Sequence, residues 1–177
     1  FGAIVLDPHI VDYHQGRRPP RLEDVRRHTI IAQSLPRIST IMRMQQSISD
    51  IPDPQGYLAT METFITHHSK HLHIMPSDMD NCRLWLELID MLQDHYHWQP
   101  GAPVATIAVA VTSPLQLHEL NCQLLQVALD RNFPLTTTVC PMAGATSPYS
   151  LAGTALIVNV EALLPIAAAK GIDLPAL

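Results

Sequence analysis

Four short apolar, β-branched runs punctuate the chain: ISTIMRM (38–44), HLHIM (71–75), VATIAVAV (104–111) and PLTTTVC (134–140), starting about 30 to 33 residues apart. Each is followed by a stretch with helical spacing of its apolar residues. A first helix, RLEDVRRHTIIAQSL, precedes the series and puts Leu22, Val25, Thr29 and Ala32 on one face. GYLATMETFITHH, DMDNCRLWLELIDMLQDHY and QLHELNCQLLQVALDRN lie between or after the runs, and residues 150–170 form the last helix. Strands alternating with helices of this length predict parallel pairing through right-handed crossovers. The nearly continuous apolarity of VATIAVAV predicts a sheet covered on both faces. Pro36, Pro103 and Pro134 stand just ahead of three of the strands, and Ser147 followed by Pro148 reads as an N-cap and a first helical residue.

Two architectures share this pattern, an open doubly wound sheet and a (β/α)8 TIM barrel. The uniform period favours the barrel. Four to five βα units make roughly half of one, since a full barrel takes about 250 residues. The expectation is therefore a single partial barrel domain over residues 1–177. The abrupt start at Phe1 and the abrupt end in GIDLPAL read as the ends of a piece of something longer.

In either architecture the ligand site lies in the loops that follow the C-terminal ends of the strands. Those segments are QQSISDIP (45–52), MPSDMD (75–80), TSPLQ (112–116) and PMAGATSP (141–148). The last is the most unusual. Ala143, Gly144 and Ala145 remove side-chain bulk, while Thr146, Ser147 and Ser150 supply hydroxyls beside a helix N-terminus, where backbone N–H groups face an incoming ligand. Small residues also let a helix pack closely, and Gly153 suits that role.

Composition narrows the partners. Hydrophobic residues make up 47% of the chain and charged ones 15%, a globular balance with surface left over for something to cover. The net charge is −5 and only two of the eleven basic residues are Lys, so there is no basic stripe to neutralise phosphates and nucleic acid is not an expected partner. Cys82, Cys122 and Cys140 are odd in number and widely spaced, which suits reduced thiols in the cytoplasm. The run LAGTALIVNVEALLPIAAAKG is interrupted by Asn159, Glu161 and Pro165 and is expected as a buried helix rather than a membrane span. No secretory signal pattern opens the chain.

The segment PMAGATSPYSLAG (141–153) resembles the signature of the trimethylamine methyltransferase family, the corrinoid-dependent enzymes that demethylate trimethylamine, glycine betaine and related quaternary amines. GRRPPRLEDVRRHTIIAQSLPRI (16–38), SDIPD (49–53) and TSPLQL (112–117) resemble further family segments in the same order, and the resemblance covers most of residues 16–169. It implies a TIM barrel and methyl transfer from the amine to the cob(I)alamin of a partner corrinoid protein. Cobalamin carried by that partner is the implied cofactor, the methylated amine the substrate, and a homo-oligomer the expected assembly. The expected site wall is Asp50, Ser77, Ser113, Pro141, Met142, Ala143, Gly144, Thr146 and Ser147, with no catalytic residue singled out. HHSKHLHIM (67–75) departs from the family's Asn-Thr-x-Lys-Pro lead into a strand: Lys70 remains and the Pro does not. The segment matching the family's pyrrolysine region aligns beyond Leu177.

His67, His68, His71 and His73 could suggest a metal cluster, with His71 and His73 pointing the same way on a strand. They lie before or at the start of that strand, where a solvated or helix-terminal role is expected, as for His95 and His97. Asp50 and Asp53 flank Pro52 and could hold a cation or shape a turn; Asp78 and Asp80 begin a helix near residue 80; Glu119 and Glu161 lie within helices in solvated or packing roles. A quaternary ammonium calls for aromatic faces, and of nine aromatic residues only Tyr149 adjoins the signature loop. Cys140 is expected to line a pocket. No Walker loop, G-x-G-x-x-G, G-x-S-x-G or H-E-x-x-H motif occurs. The competing expectation is a non-catalytic half-barrel whose open edges pair with a second copy.

Overall fold

The computed structural model describes residues 2–6, 9–14, 16–43, 48–97, 99 and 105–171. The chain divides into two compact units, Phe1–Pro76 and Ser77–Leu177. Both are α/β, built from parallel strands and the helices that follow them.

In the first unit β1 (Gly2–Leu6) pairs in parallel with β4 (Thr40–Arg43), which pairs in parallel with β5 (His71–Ile74). A small antiparallel hairpin of β2 (Ile10–Asp12) and β3 (Gly16–Arg18) stands apart from that sheet. Helix α1 (Leu22–Ser34) buries Val25, Thr29 and Ala32 on the expected face and packs against β1 and α2 (Gln55–His67). Asp24 is buried as well. Its carboxylate accepts both terminal guanidinium nitrogens of Arg18 at 2.7 Å and the N–H of Arg21 at 2.9 Å, so the hairpin and the helix start share one charge. The Arg18 hydrogen bond holds the Asp24 carboxyl below its ordinary range, against the opposing effect of burial. At the far end Lys70 Nζ donates to the carbonyls of Ala32 (2.6 Å) and Leu35 (2.7 Å), a cation closing the negative end of α1. Val25, Ile41, Phe64 and Ile74 are fully buried. Each such side chain contributes roughly 1.5–3 kcal/mol by leaving water.

In the second unit β6 (Ala105–Val111) pairs in parallel with β7 (Leu135–Val139), with Ile107 opposite Leu135 and Val111 opposite Val139. Helices α3 (Met79–Tyr96), α4 (Glu119–Asp130) and α5 (Leu151–Ala169) complete it. Trp85 and Ile89 of α3, Ile107 and Val109 of β6, and Leu124 of α4 are fully buried. β6 is covered on both faces, as its apolar run predicts; β7 alternates half-buried Leu135, Thr137 and Val139 with exposed Thr136 and Thr138. Periodicity located the strands at 40–43, 71–74, 105–111 and 135–139 and all five helices, but not β1 or the hairpin.

Two expectations are corrected. The N-cap of the last helix is Ser150, whose hydroxyl accepts the N–H of Gly153 at 3.1 Å; Ser147 lies outside the helix, because residues 142–147 close into a turn of their own. And α5 is not a buried helix in this chain. Its buried residues are Glu161 and Pro165, while Leu151 (86%), Leu156 (63%) and Leu163 (59%) are exposed. A helix apolar all round packs only one stripe here, against β6, β7 and α4. Among the described residues α5 is also the one helix long and apolar enough to cross a membrane by length and composition.

Candidate functional site

Parallel pairing sends the loops after β6 and β7 out of the same edge of the second unit. The turn after β6 is closed at its base by reciprocal main-chain bonds between Thr112 and Gln116, both 2.8 Å. Inside it Leu115 has φ +54°, a left-handed conformation that costs a non-glycine residue free energy. Glu161 of α5 reaches this turn with one carboxylate oxygen accepting the Ser113 hydroxyl at 2.7 Å and the other accepting the Leu115 N–H at 3.0 Å. Glu161 itself is 0% exposed. Asn121, near the start of α4, accepts the N–H of Ala110 at 2.8 Å, anchoring the last part of β6.

The loop after β7 is organised around one carbonyl. That of Met142 accepts the N–H groups of Ala145 (3.1 Å), Thr146 (2.9 Å) and Ser147 (3.0 Å), and Gly144 N–H donates to the Ser147 carbonyl at 2.9 Å. The Thr146 hydroxyl accepts the Met142 N–H at 2.8 Å. Gly144 takes φ +77°, a backbone conformation that calls for glycine; a Cβ there would lie 3.1 Å from the ring of Tyr149, an exposed side chain that can give way. Gly153 permits a close approach to Pro148 rather than to a strand, since its Cβ would sit 2.6 Å from Pro148 Cβ. Thr154 donates to the Pro148 carbonyl at 2.8 Å and shares a 3.1 Å hydrogen bond with Ser147. The expectation of N–H groups aimed outward at a ligand from 144–147 is thereby corrected, because those donors are spent on the loop itself. What the loop offers outward is small and apolar: Met142, Ala143, Gly144 and Ala145 are exposed, with Pro141, Thr146 and Ser147 partly so. The exposed Tyr149 ring lies beside Gly144.

Of the expected wall, Ser113 and the loop residues Pro141, Met142, Ala143, Gly144, Thr146 and Ser147 are thus attached to one helix: α5 carries the second loop on its N-cap and clasps the first through Glu161. Ser77 belongs to the cap of α3, where it donates to Asp78 at 3.0 Å and accepts from Asn81. Asp78 is the N-cap, accepting the Asn81 N–H at 2.7 Å, which starts α3 at Met79. Asp50 lies in the first unit, where its carboxylate accepts the Leu22 N–H at 3.1 and 3.3 Å and so caps α1 from outside. Ser49 binds the Pro20 carbonyl beside it through N–H (2.8 Å) and hydroxyl (2.9 Å).

The histidines take local roles. His67 bonds the Thr63 carbonyl one turn back at 3.0 Å. The His68 ring lies 4.4 Å from that of Phe64, and neither ring nitrogen hydrogen-bonds to another residue. Burial is the main cause pushing its imidazole below the ordinary value, and the same holds for His73. Among the described residues no three His, Cys, Asp or Glu side chains gather to hold a metal ion. Cys140 is exposed, and burial raises the Cys82 thiol. Sequence reasoning missed Glu161. Its signal was available: a lone acid in an otherwise uncharged 19-residue helix needs a partner if that helix packs.

Parallel strand–helix units with a rigid small-residue loop and a clasped neighbouring loop at the strand ends define an α/β protein whose site is a surface of post-strand loops. Comparison with known proteins narrows this: residues 1–176 match the family described as Trimethylamine methyltransferase (MTTB). The chain belongs to the trimethylamine methyltransferase family. It is 27% identical over 119 residues to trimethylamine methyltransferase MttB1 of Methanosarcina mazei, covering 66% of this chain and 24% of that protein. It is 23% identical over 162 residues to MttB of Desulfitobacterium hafniense (92% and 32%) and 28% identical over 119 residues to MttB of Methanosarcina thermophila (66% and 25%). The chain spans about a quarter to a third of the length of these relatives.

Proposed function

We propose that the protein takes a methyl group from trimethylamine, glycine betaine or a related methylated amine and delivers it to cob(I)alamin carried by a separate corrinoid protein, in the cytoplasm. Family membership over residues 1–176 carries this reading. The loop at 141–147 supports it. A trimethylammonium has one N–H and a quaternary ammonium none, so its recognition rests on shape, aromatic faces and carboxylates rather than on donors from the protein. A loop with the N–H groups of Met142 and of residues 144–147 satisfied internally, small exposed side chains and the Tyr149 ring beside it suits such a group. We read the strand–helix units as part of a (β/α)8 barrel, the exposed face of α5 packing against more protein rather than lipid.

In this reaction the methyl carbon is attacked opposite the C–N bond. The substrate nitrogen is cationic, quaternary in a betaine and protonated in trimethylammonium; the pair for the new cobalt–carbon bond comes from cobalt, the C–N pair stays on nitrogen, and the group leaves as a neutral amine with one methyl fewer. Cobalamin is a substrate in this reading, brought by its own protein. The part of this chain is alignment: displacement needs nitrogen, carbon and nucleophile in line, and holding them so is worth several powers of ten in rate. Pro141, Met142, Ala143, Gly144, Thr146 and Ser147 form one wall, Ser113 with its turn the adjacent one; Ser77 belongs to the proposed set as well, whereas the Asp50 carboxylate is taken by the start of α1 and is left out of it.

The test is methyl transfer from trimethylamine, glycine betaine and proline betaine to cob(I)alamin, followed by the visible absorbance of the cobalamin. Turnover with any donor supports the reading and names the substrate. A second reading, a non-catalytic half-barrel that self-associates, is favoured by the exposed apolar face of α5; no turnover together with a dimeric solution mass supports it.

A further inference from the structure

The carboxylate of Glu161 sits where stability alone would not put one. Between Leu151 and Ala169 it is the one ionisable side chain, fully buried on a helix of Leu, Val, Ile and Ala. Replacing a buried ionic group by an apolar one of similar volume is often neutral or stabilising, so its presence asks for another reason. Its partners supply one. Both belong to the irregular turn after β6, 48 and 46 residues away, and one is the N–H of Leu115, held at φ +54°. A strained non-glycine residue persists only where its surroundings over-determine it, and such residues cluster at functional sites. The reciprocal Thr112–Gln116 bonds fix the base of the turn; Glu161 fixes its tip. The same helix carries Ser150, the cap that ends the 141–150 loop.

We infer that Glu161 is a positioning residue of the amine site: through Ser113 and Leu115 it sets the post-β6 turn against the post-β7 loop, making α5 the common base of both walls. The inference rests on the methyltransfer reading above. It also assigns Ser113 a direction: its proton is committed to Glu161, so its oxygen faces a ligand only as an acceptor, the polarity a cationic amine needs.

The test compares Glu161→Leu and Glu161→Gln in the full-length protein by methyl-transfer kinetics, urea unfolding and exchange of the Leu115 amide. Expected are a Glu161→Leu protein that remains folded, Leu115 exchange about tenfold or more faster, and an amine KM raised about tenfold or more with kcat far less affected, as lost ground-state positioning predicts. Glu161→Gln keeps one acceptor oxygen and should fall between Glu161→Leu and the parent. If the parent transfers methyl groups and both variants keep its KM, the positioning role is overturned while the proposed function stands. If both variants unfold, the carboxylate is a structural support and the inference is likewise overturned. If the parent itself transfers nothing, the proposed function fails, and the inference with it.

Discussion

Gly56 is the position where helix propensity and packing make opposite predictions. It is the second residue of α2, where replacing Gly by Ala would ordinarily favour the helix by up to about 1 kcal/mol. The space forbids it. A Cβ on Gly56 would lie 2.5 Å from the main-chain oxygen of Ile51, and 3.2 Å from both Asp53 Oδ1 and Ile48 Cγ1. A comfortable carbon–oxygen contact is roughly 3.3 Å, so the overlap is about 0.8 Å, against backbone rather than a side chain that can swing away. The obstacle is also tied down: Gly56 N–H bonds the Pro52 carbonyl at 2.8 Å, Ile48 is buried, and Ser49 and Asp50 are bonded to Pro20 and Leu22. Overpacking of this kind costs roughly 1–3 kcal/mol or more, and the upper part of that range applies where backbone must move. Less the propensity gain, Gly56→Ala should destabilise the first unit by about 2 kcal/mol, lowering its melting temperature by about 8–16 °C. Urea unfolding followed by circular dichroism reads the change as a lower midpoint at unchanged slope. Faster exchange at the Leu22 amide would locate the damage at the Asp50 cap. A variant as stable as the parent, or more so, would refute the packing argument and leave propensity in charge.

Two further outcomes follow from the same unit. His68 and His73 are held neutral by burial, so the unfolded chain takes up protons first, near the ordinary value of 6.5. Stability should be level above that pH and fall as pH drops below it, by at most about 1.4 kcal/mol per pH unit for each proton; His68→Leu should make the fall shallower, and urea midpoints at neutral and mildly acidic pH that drop equally in both proteins would contradict this. Lys70→Met keeps the aliphatic stem but removes the charged donor from the Ala32 and Leu35 carbonyls, leaving them the N–H groups of Leu35 and Ile38, and should cost about 1 kcal/mol at the C-terminal end of α1, read as faster amide exchange there and a lower thermal midpoint.

The chain announces its strands and helices because β-branched runs and amphipathic stretches recur with one period, and local signals suffice for that. Leu22 to Ser34 shows the limit. Val25, Thr29 and Ala32 were readable as its inner face, whereas the burial of Asp24 depends on Arg18, which a separate hairpin delivers. Asp50 looked like a turn residue or a cation holder, and its partner is a helix start 28 residues earlier. Ser147 and Ser150 both satisfy the local rule for an N-cap. The choice between them was made by the Met142 carbonyl, which gathers the N–H groups of 145–147 and delays the helix. Contacts of this range leave no trace in periodicity.

The last helix unites these points. Apolar all round, it reads as a core element, yet it buries only the stripe that includes Glu161 and Pro165. Pro165 has no N–H, so the Glu161 carbonyl lacks its usual partner one turn on. The helix is therefore locally weakened where its carboxylate makes its longest-range contact. A helix selected for stability alone would place neither residue there. One that must hold two loops in register gains a fixed acceptor pair from the first and room to adjust its axis from the second. On that argument the exposed apolar face of α5 should tolerate substitution among Leu, Ile and Val, whereas position 161 should accept neither apolar nor shortened replacements without loosening Ser113 and Leu115.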